Sequence, residues 1–167
     1  MKKVTQQRIA TSYHEAGHVV IGYELGMRLG KQGVSIVSDG GSAGRAHLPF
    51  TFRNSPEFDT SDRMRLHLEK RAMIYFAGIE AQRSFDSRSV RHYHASSDYH
   101  CAVDLLGYFF ESSVLEARIK FLVLRTQQKI KVKSVWTRIV TVAEALQRQE
   151  HLKRSEVEAV MFSAIKL

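Results

Sequence analysis

The chain has 167 residues, a net charge of +8 and a single cysteine, Cys101. This length suits one domain, which we expect to span residues 1–167, and one cysteine excludes an internal disulfide framework. The polar N-terminus lacks the apolar core of a signal peptide, and no apolar run reaches the roughly eighteen residues of a membrane span, so we expect a cytoplasmic protein.

The first part of the sequence predicts a helix followed by a β-hairpin. Apolar residues recur at three- and four-residue intervals over residues 5–26, which indicates an amphipathic helix with Thr5 or Thr11 as its N-cap. Residues 33–37 alternate as in a short strand, and a glycine-rich stretch then leads to a second strand that ends at Pro49. Since that stretch lacks the Lys-Ser/Thr of a phosphate-binding loop, we interpret it as a hairpin turn.

The rest of the chain is predicted to be helical. Apolar periodicity places helices at residues 60–85, from Ser96 or Ser97 to 109, at 113–128 and at 132–149. A last helix is predicted to open at Ser155, where Glu158 would complete a capping box. The sequence therefore predicts a mainly α (α+β) fold of one domain, helical, with a small β-sheet beside the first helix.

Basic residues are concentrated late in the chain. Between Arg118 and Arg138 there are seven basic residues and no acidic one. Such a stretch could bind nucleic acid or an acidic partner, but no nucleic-acid-binding motif accompanies it. We therefore interpret it as a solvated helix face and regard nucleic acid as an unlikely partner.

A His-Glu-Ala-Gly-His motif lies within the first predicted helix. His14 and His18 are four residues apart, so both imidazoles lie on one helix face and can bind a single Zn²⁺. Glu15 lies about 100° round the helix from His14, where it can act as the catalytic base towards a water activated by the metal. The motif also arises by chance, and the alternative is a helix with two half-buried histidines and an ion pair.

The third zinc ligand is not defined by this motif. An extended motif would place a ligand at position 24, but Glu24 lies about 240° round the helix from His18 and is rejected. Glu80 and Asp98 are candidates from later helices, although an acidic residue in a first helical turn, such as Asp98, is often only stabilising. We interpret other nearby side chains as uninvolved: His92 and His94 as loop histidines, His100 as pointing elsewhere, and Cys101 as a small core residue.

Several segments resemble one family of proteases. Residues 12–26, 77–82 and 94–102 are similar in sequence and order to the peptidase domain of the FtsH-type ATP-dependent zinc metalloproteases, which are Asp-zincins. The resemblance implies that Asp98 is the third ligand of one Zn²⁺ per chain, with His14 and His18, and that Glu15 is catalytic. It also implies a substrate-binding strand that pairs with an extended peptide, formed by Gly44, Arg45, Ala46, His47 and Leu48.

Departures from the family limit what the resemblance implies. Gln82 replaces an acidic residue, and the AAA ATPase module and the membrane segment of those proteases are not found in these 167 residues. We therefore expect a stand-alone zinc metalloendopeptidase that acts on peptides or unfolded segments, or that relies on a separate ATPase or regulatory partner. The alternatives are a metal-binding regulatory or inactive peptidase-like module and a basic nucleic-acid-binding protein. The sequence leaves a homo-oligomer open.

Overall fold

The computed structural model describes residues 5–37, 44–46, 56–90, 92 and 96–163. Within them, the chain forms helices α1 (Gln6–Glu24), α2 (Asp62–Phe85), α3 (Ser97–Gly107), α4 (Ser112–Ile130), α5 (Lys133–Gln149) and α6 (Arg154–Ser163), strands β1 (Val34–Ser35), β2 (Arg45–Ala46) and β3 (His151–Leu152), and a 3₁₀ turn at Ser87–Ser89. The predicted fold class, mainly helical with a small sheet, is confirmed.

Side-chain caps fix the beginnings of three helices. The hydroxyl of Thr5 accepts a hydrogen bond from the backbone N–H of Arg8, so Thr5 and not Thr11 is the cap of α1. Ser61 and Ser96 cap α2 and α3 in the same way. Each cap satisfies a backbone donor that the first helical turn leaves without a partner.

The last helix begins one residue before the predicted start at Ser155. Its capping contact, between Lys153 and Glu156, lies two residues before the predicted one. Helix α6 begins at Arg154, and the backbone N–H of Lys153 donates to the Glu156 carboxylate at 2.7 Å. Because β3 ends at Leu152, which pairs with Val34 of β1, the chain is free to turn into a helix directly after it. The box predicted between Ser155 and Glu158 therefore has no place in the helix.

The three strands form one antiparallel sheet in the order β2-β1-β3. Val34 pairs with Ala46 on one side and with Leu152 on the other. The β1–β2 hairpin was predicted, but β3 was not, since two residues are too few to show an alternating pattern. The hairpin turn, residues 38–43, and the end of the second predicted strand, 47–49, lie outside the described residues.

Helix α1 is the centre of the main apolar core, in which it packs against α2 and α5. Gly17 permits the close approach of α2, because a Cβ at this position would lie 2.4 Å from the carbonyl oxygen of Ala77 and 2.6 Å from the Cβ of Ala81. A second, smaller cluster joins α2 to α3 and α4. The two contacts hold α1, α2 and α3 in fixed positions relative to one another.

Of the seven basic residues between Arg118 and Arg138, two form ion pairs and four are exposed. Arg118 contacts Glu69 and Arg138 contacts Glu24, whereas Lys120, Arg125, Lys131 and Lys133 are exposed. In the part of the chain that the structure describes, no helix is both long enough and apolar enough to cross a bilayer.

Candidate metal centre

His14 and His18 face one point between α1 and α2. Their Nε2 atoms are 3.0 Å apart, and their rings meet edge to face with centroids 4.7 Å apart. The side chain of His18 is 8% exposed and that of His14 is 19% exposed. The four-residue spacing on one helix therefore brings two imidazole nitrogens together in a largely buried place.

Asp98 completes the cluster from the first turn of α3. Its Oδ2 lies 2.9 Å from Nε2 of His14 and 3.3 Å from Nε2 of His18. Among the described residues, these three side chains form the only group of histidine, cysteine or carboxylate ligands close enough to share a metal ion. The structure thus brings together the three residues that the sequence predicts as ligands.

The chemistry of the three donors suits zinc. Nδ1 of His18 lies 2.7 Å from the carbonyl oxygen of Ile74, which can only accept, so in the neutral imidazole Nδ1 carries the hydrogen and Nε2 has the lone pair. Tetrahedral zinc ligands bound at about 2.0–2.1 Å lie about 3.3 Å from one another. The observed separations of 2.9, 3.0 and 3.3 Å are close to that spacing, so the residues present fit the ion.

His18 and Asp98 shift each other's pKa values. Burial opposes the charged form of His18, but the carboxylate of Asp98, with a smaller contribution from Glu15, outweighs it and raises the pKa of His18 to about 9. Burial would raise the pKa of Asp98, but His18 and His14 outweigh it and hold that pKa well below its usual range. Without a metal, these interactions therefore favour the protonated form of His18 beside the Asp98 carboxylate.

Zinc affinity should depend on pH, because zinc and a proton compete for His18. A metal that binds Nε2 of His18 must displace the proton, which is held below about pH 9, so we expect the apparent affinity to rise by about tenfold per pH unit towards that pH and then to level off. Competition with a chelator of known affinity, from about pH 6.5 to pH 9, measures this slope. The exposed His100→Asn variant should show the same slope, and an affinity independent of pH in this range would contradict the expectation.

Glu15 lies beside the three candidate ligands with its side chain buried, and the whole residue is 5% exposed. Burial is the largest influence on its carboxyl and raises its pKa, while His18 and His14 lower it in part. The backbone N–H of Ala46 in β2 donates to this carboxylate. Since a Cβ on Gly44 would lie 2.7 Å from Oε1 of Glu15, the absence of a side chain there lets β2 pass directly over the carboxylate.

Three residues of α2, spaced four apart, face the two histidines. Ile74 accepts from His18, Gly78 lies against both rings, and Oε1 of Gln82 is 3.2 Å from Nδ1 of His14. Sequence reasoning did not assign a site role to these residues. The signal was present, however, since positions 74, 78 and 82 share one helix face in the same way as 14 and 18.

The other acidic candidates lie elsewhere. Glu24 contacts Arg138, in agreement with its rejection as a ligand. Glu80 is buried against α4, where its Oε2 accepts a hydrogen bond of 2.9 Å from Nε2 of Gln127. The alternative in which Glu80 is the third ligand is therefore wrong, because Glu80 lies about 200° round α2 from Gly78 and faces the opposite way.

The structure tests the predictions for His92, His100 and Cys101, but not the prediction for His94. His92 and His100 are exposed and belong to no ligand cluster among the described residues, and His94 lies outside the described residues. The expectation that Cys101 is a core residue is wrong, since it is exposed. The buried face of α3 consists of Ala102 and Leu106, and position 101 lies about 100° from 102.

The predicted substrate-binding strand is described in part. Gly44, Arg45 and Ala46 lie at the β2 end of the sheet order, and Gly44 and Ala46 adjoin the Glu15 carboxylate, whereas His47 and Leu48 lie outside the described residues. No protein-family model and no curated protein matches this chain. The resemblance to the FtsH-type peptidase domain therefore stays a prediction from the sequence motifs.

Proposed function

We propose that this protein is a zinc-dependent metalloendopeptidase that hydrolyses peptides or unfolded protein segments. A cytoplasmic location and a separate ATPase or regulatory partner belong to the same proposal. One observation carries it: two imidazole nitrogens and one carboxylate oxygen meet within 3.3 Å of one another, next to a second, buried carboxylate on the same helix turn. Three such donors with a carboxylate beside them are what a catalytic zinc site and its general base require, which supports the proposal.

The chain's own residues supply the remaining parts of a hydrolytic reaction. When bound, zinc lowers the pKa of a coordinated water and polarises a carbonyl group. Glu15, whose pKa is raised by burial, accepts the proton of the attacking water and passes it to the leaving amine. The hydrogen bond from Ala46 holds the Glu15 carboxylate in one orientation during this transfer.

The position of β2 suits a peptide substrate. An extended peptide can add to a sheet edge through main-chain hydrogen bonds, with little dependence on its side chains. At the β2 end of the sheet, such a peptide would lie beside Glu15 and therefore close to the metal ligands. This arrangement favours unstructured substrates, since a folded protein does not present a free extended segment.

Metal analysis of an Asp98→Ala variant tests the proposal. The purified wild-type protein should contain about one zinc per chain and cleave a fluorogenic unstructured peptide. The variant should lose most of its zinc, because two ligands remain and one negative charge is gone. Asp104→Ala is the matched control, since Asp104 lies exposed on the same helix α3, and it should keep its zinc.

The alternatives give different results in the same experiment. Full retention of zinc by Asp98→Ala would contradict the ligand assignment. Zinc without hydrolysis of any unstructured peptide would instead indicate a metal-binding regulatory module. A wild-type protein without zinc, which binds nucleic acid at low salt and loses it as salt is raised, would overturn the proposal in favour of the nucleic-acid alternative.

A further inference from the structure

Gln82 connects the ligand His14 to a residue outside the site. The amide nitrogen Nε2 of Gln82 lies 3.1 Å from both the carbonyl oxygen and the hydroxyl of Ser89, in the 3₁₀ turn after α2. Its amide oxygen Oε1 lies 3.2 Å from Nδ1 of His14. The side chain therefore bridges a surface turn and a metal ligand.

The contacts with Ser89 determine which way the amide points. The backbone carbonyl of Ser89 can only accept, and its hydroxyl donates to the carbonyl oxygen of Asp86 at 2.6 Å, so its lone pairs face Gln82. Both neighbours on this side are therefore acceptors. A flipped amide would place its oxygen against them and lose two hydrogen bonds, so the NH₂ group must face Ser89.

The orientation of the amide in turn determines the tautomer of His14. With Oε1 as the neighbour of Nδ1, only an Nδ1–H can form the hydrogen bond, and the lone pair of neutral His14 is then on Nε2. This is the nitrogen that faces Asp98 and His18. The opposite tautomer would place a hydrogen on Nε2 and a lone pair against Oε1.

We infer that Gln82, held by Ser89, is a positioning residue that selects the metal-binding tautomer of His14. The inference rests on the metal site of the proposed function but not on peptide hydrolysis. The backbone carbonyl of Ile74 selects the tautomer of His18 in the same way, and no substitution can remove that carbonyl. The tautomer of His14 depends instead on a side chain. Since an amide is neutral, it fixes the tautomer without adding a negative charge to that of Asp98.

Two substitutions of Gln82 distinguish the effect of its hydrogen bond to His14 from the effect of its packing. Gln82→Leu keeps a similar volume but removes the acceptor, and we expect it to weaken zinc binding by about 10- to 100-fold, as loss of an outer-shell partner does. Gln82→Glu keeps an acceptor for Nδ1–H, although it gives up the two hydrogen bonds to Ser89, and should retain an affinity within about tenfold of wild type. The control is Gln128→Leu, at an exposed position of α4, which should leave zinc binding unchanged.

Zinc affinity from chelator competition is combined with nuclear magnetic resonance of the zinc-loaded proteins. The Nδ1–H proton of His14 should be protected from solvent exchange in the wild type and in Gln82→Glu, and lose that protection in Gln82→Leu. Wild-type affinity and protection in Gln82→Leu would overturn the inference, and so would a Gln82→Glu variant as weak as Gln82→Leu. A wild-type protein that binds no zinc would instead contradict the proposed function.

Discussion

A Glu15→Gln variant should retain its zinc and lose peptidase activity by about 10²- to 10⁴-fold, the usual contribution of a general base. The substitution preserves size and leaves an oxygen that can accept from the Ala46 N–H. It removes the ability to take a proton from water. The measurement is the initial rate of cleavage of a fluorogenic unstructured peptide, with zinc content determined on the same samples.

The specificity of this result depends on a matched substitution. Glu116→Gln makes the same chemical change at an exposed position of α4 and should cleave at the wild-type rate. Because Glu15 is buried, loss of its charge could also alter folding, so the circular dichroism spectrum and zinc content of the variant must match the wild type. Hydrolysis by Glu15→Gln at the wild-type rate would refute the role of Glu15 as the base.

Most features that depend on local sequence were predicted, although the capping box of α6 was not. Thr5 and Ser96 were each one of two predicted caps, and the long amphipathic helices and the hairpin also follow from residues that lie close together in the chain. The pairing of His14 with His18 belongs to the same class, because helical geometry alone places residues four apart on one face. Such features need no knowledge of how distant segments pack.

Features that depend on tertiary contacts were predicted poorly. The sequence could not decide between Glu80 and Asp98 without the family resemblance, since the choice depends on which faces of α2 and α3 turn towards α1. The same limit explains Cys101, whose exposure follows from the face of α3 that packs inwards. The two-residue strand β3 exists only through its pairing with β1, so no local pattern could reveal it.

The residue spacings on α1 and α2, taken together, could have indicated which faces of the two helices meet. Two residues spaced four apart on α1 and three residues spaced four apart on α2 form the facing sides of one helix pair. The order is antiparallel, since His18 meets Ile74 and His14 meets Gln82. Between these contacts lies Gly78, the one position of the three where the site requires the absence of a side chain.

Gly78→Ala should therefore weaken zinc binding by at least about 100-fold, the upper end of the range for outer-shell changes. A Cβ at position 78 would lie 2.5 Å from Nε2 and Cε1 of His18 and 2.7 Å from Nε2 of His14. These distances are shorter than any relaxed contact, so both rings must move away from the point that they share with Asp98. Alanine is a better helix former than glycine, so α2 itself should not be weakened.

Gly107→Ala provides the matched control, because a Cβ at that position of α3 would meet nothing within 4 Å. It should bind zinc like the wild type, which separates the steric effect at position 78 from any general effect of replacing a helical glycine. Chelator competition gives the affinities, and thermal unfolding in excess chelator compares the metal-free proteins. If Gly78→Ala binds zinc as tightly as Gly107→Ala, the ion is not held between the two Nε2 atoms, and the assignment of His14 and His18 as joint ligands fails.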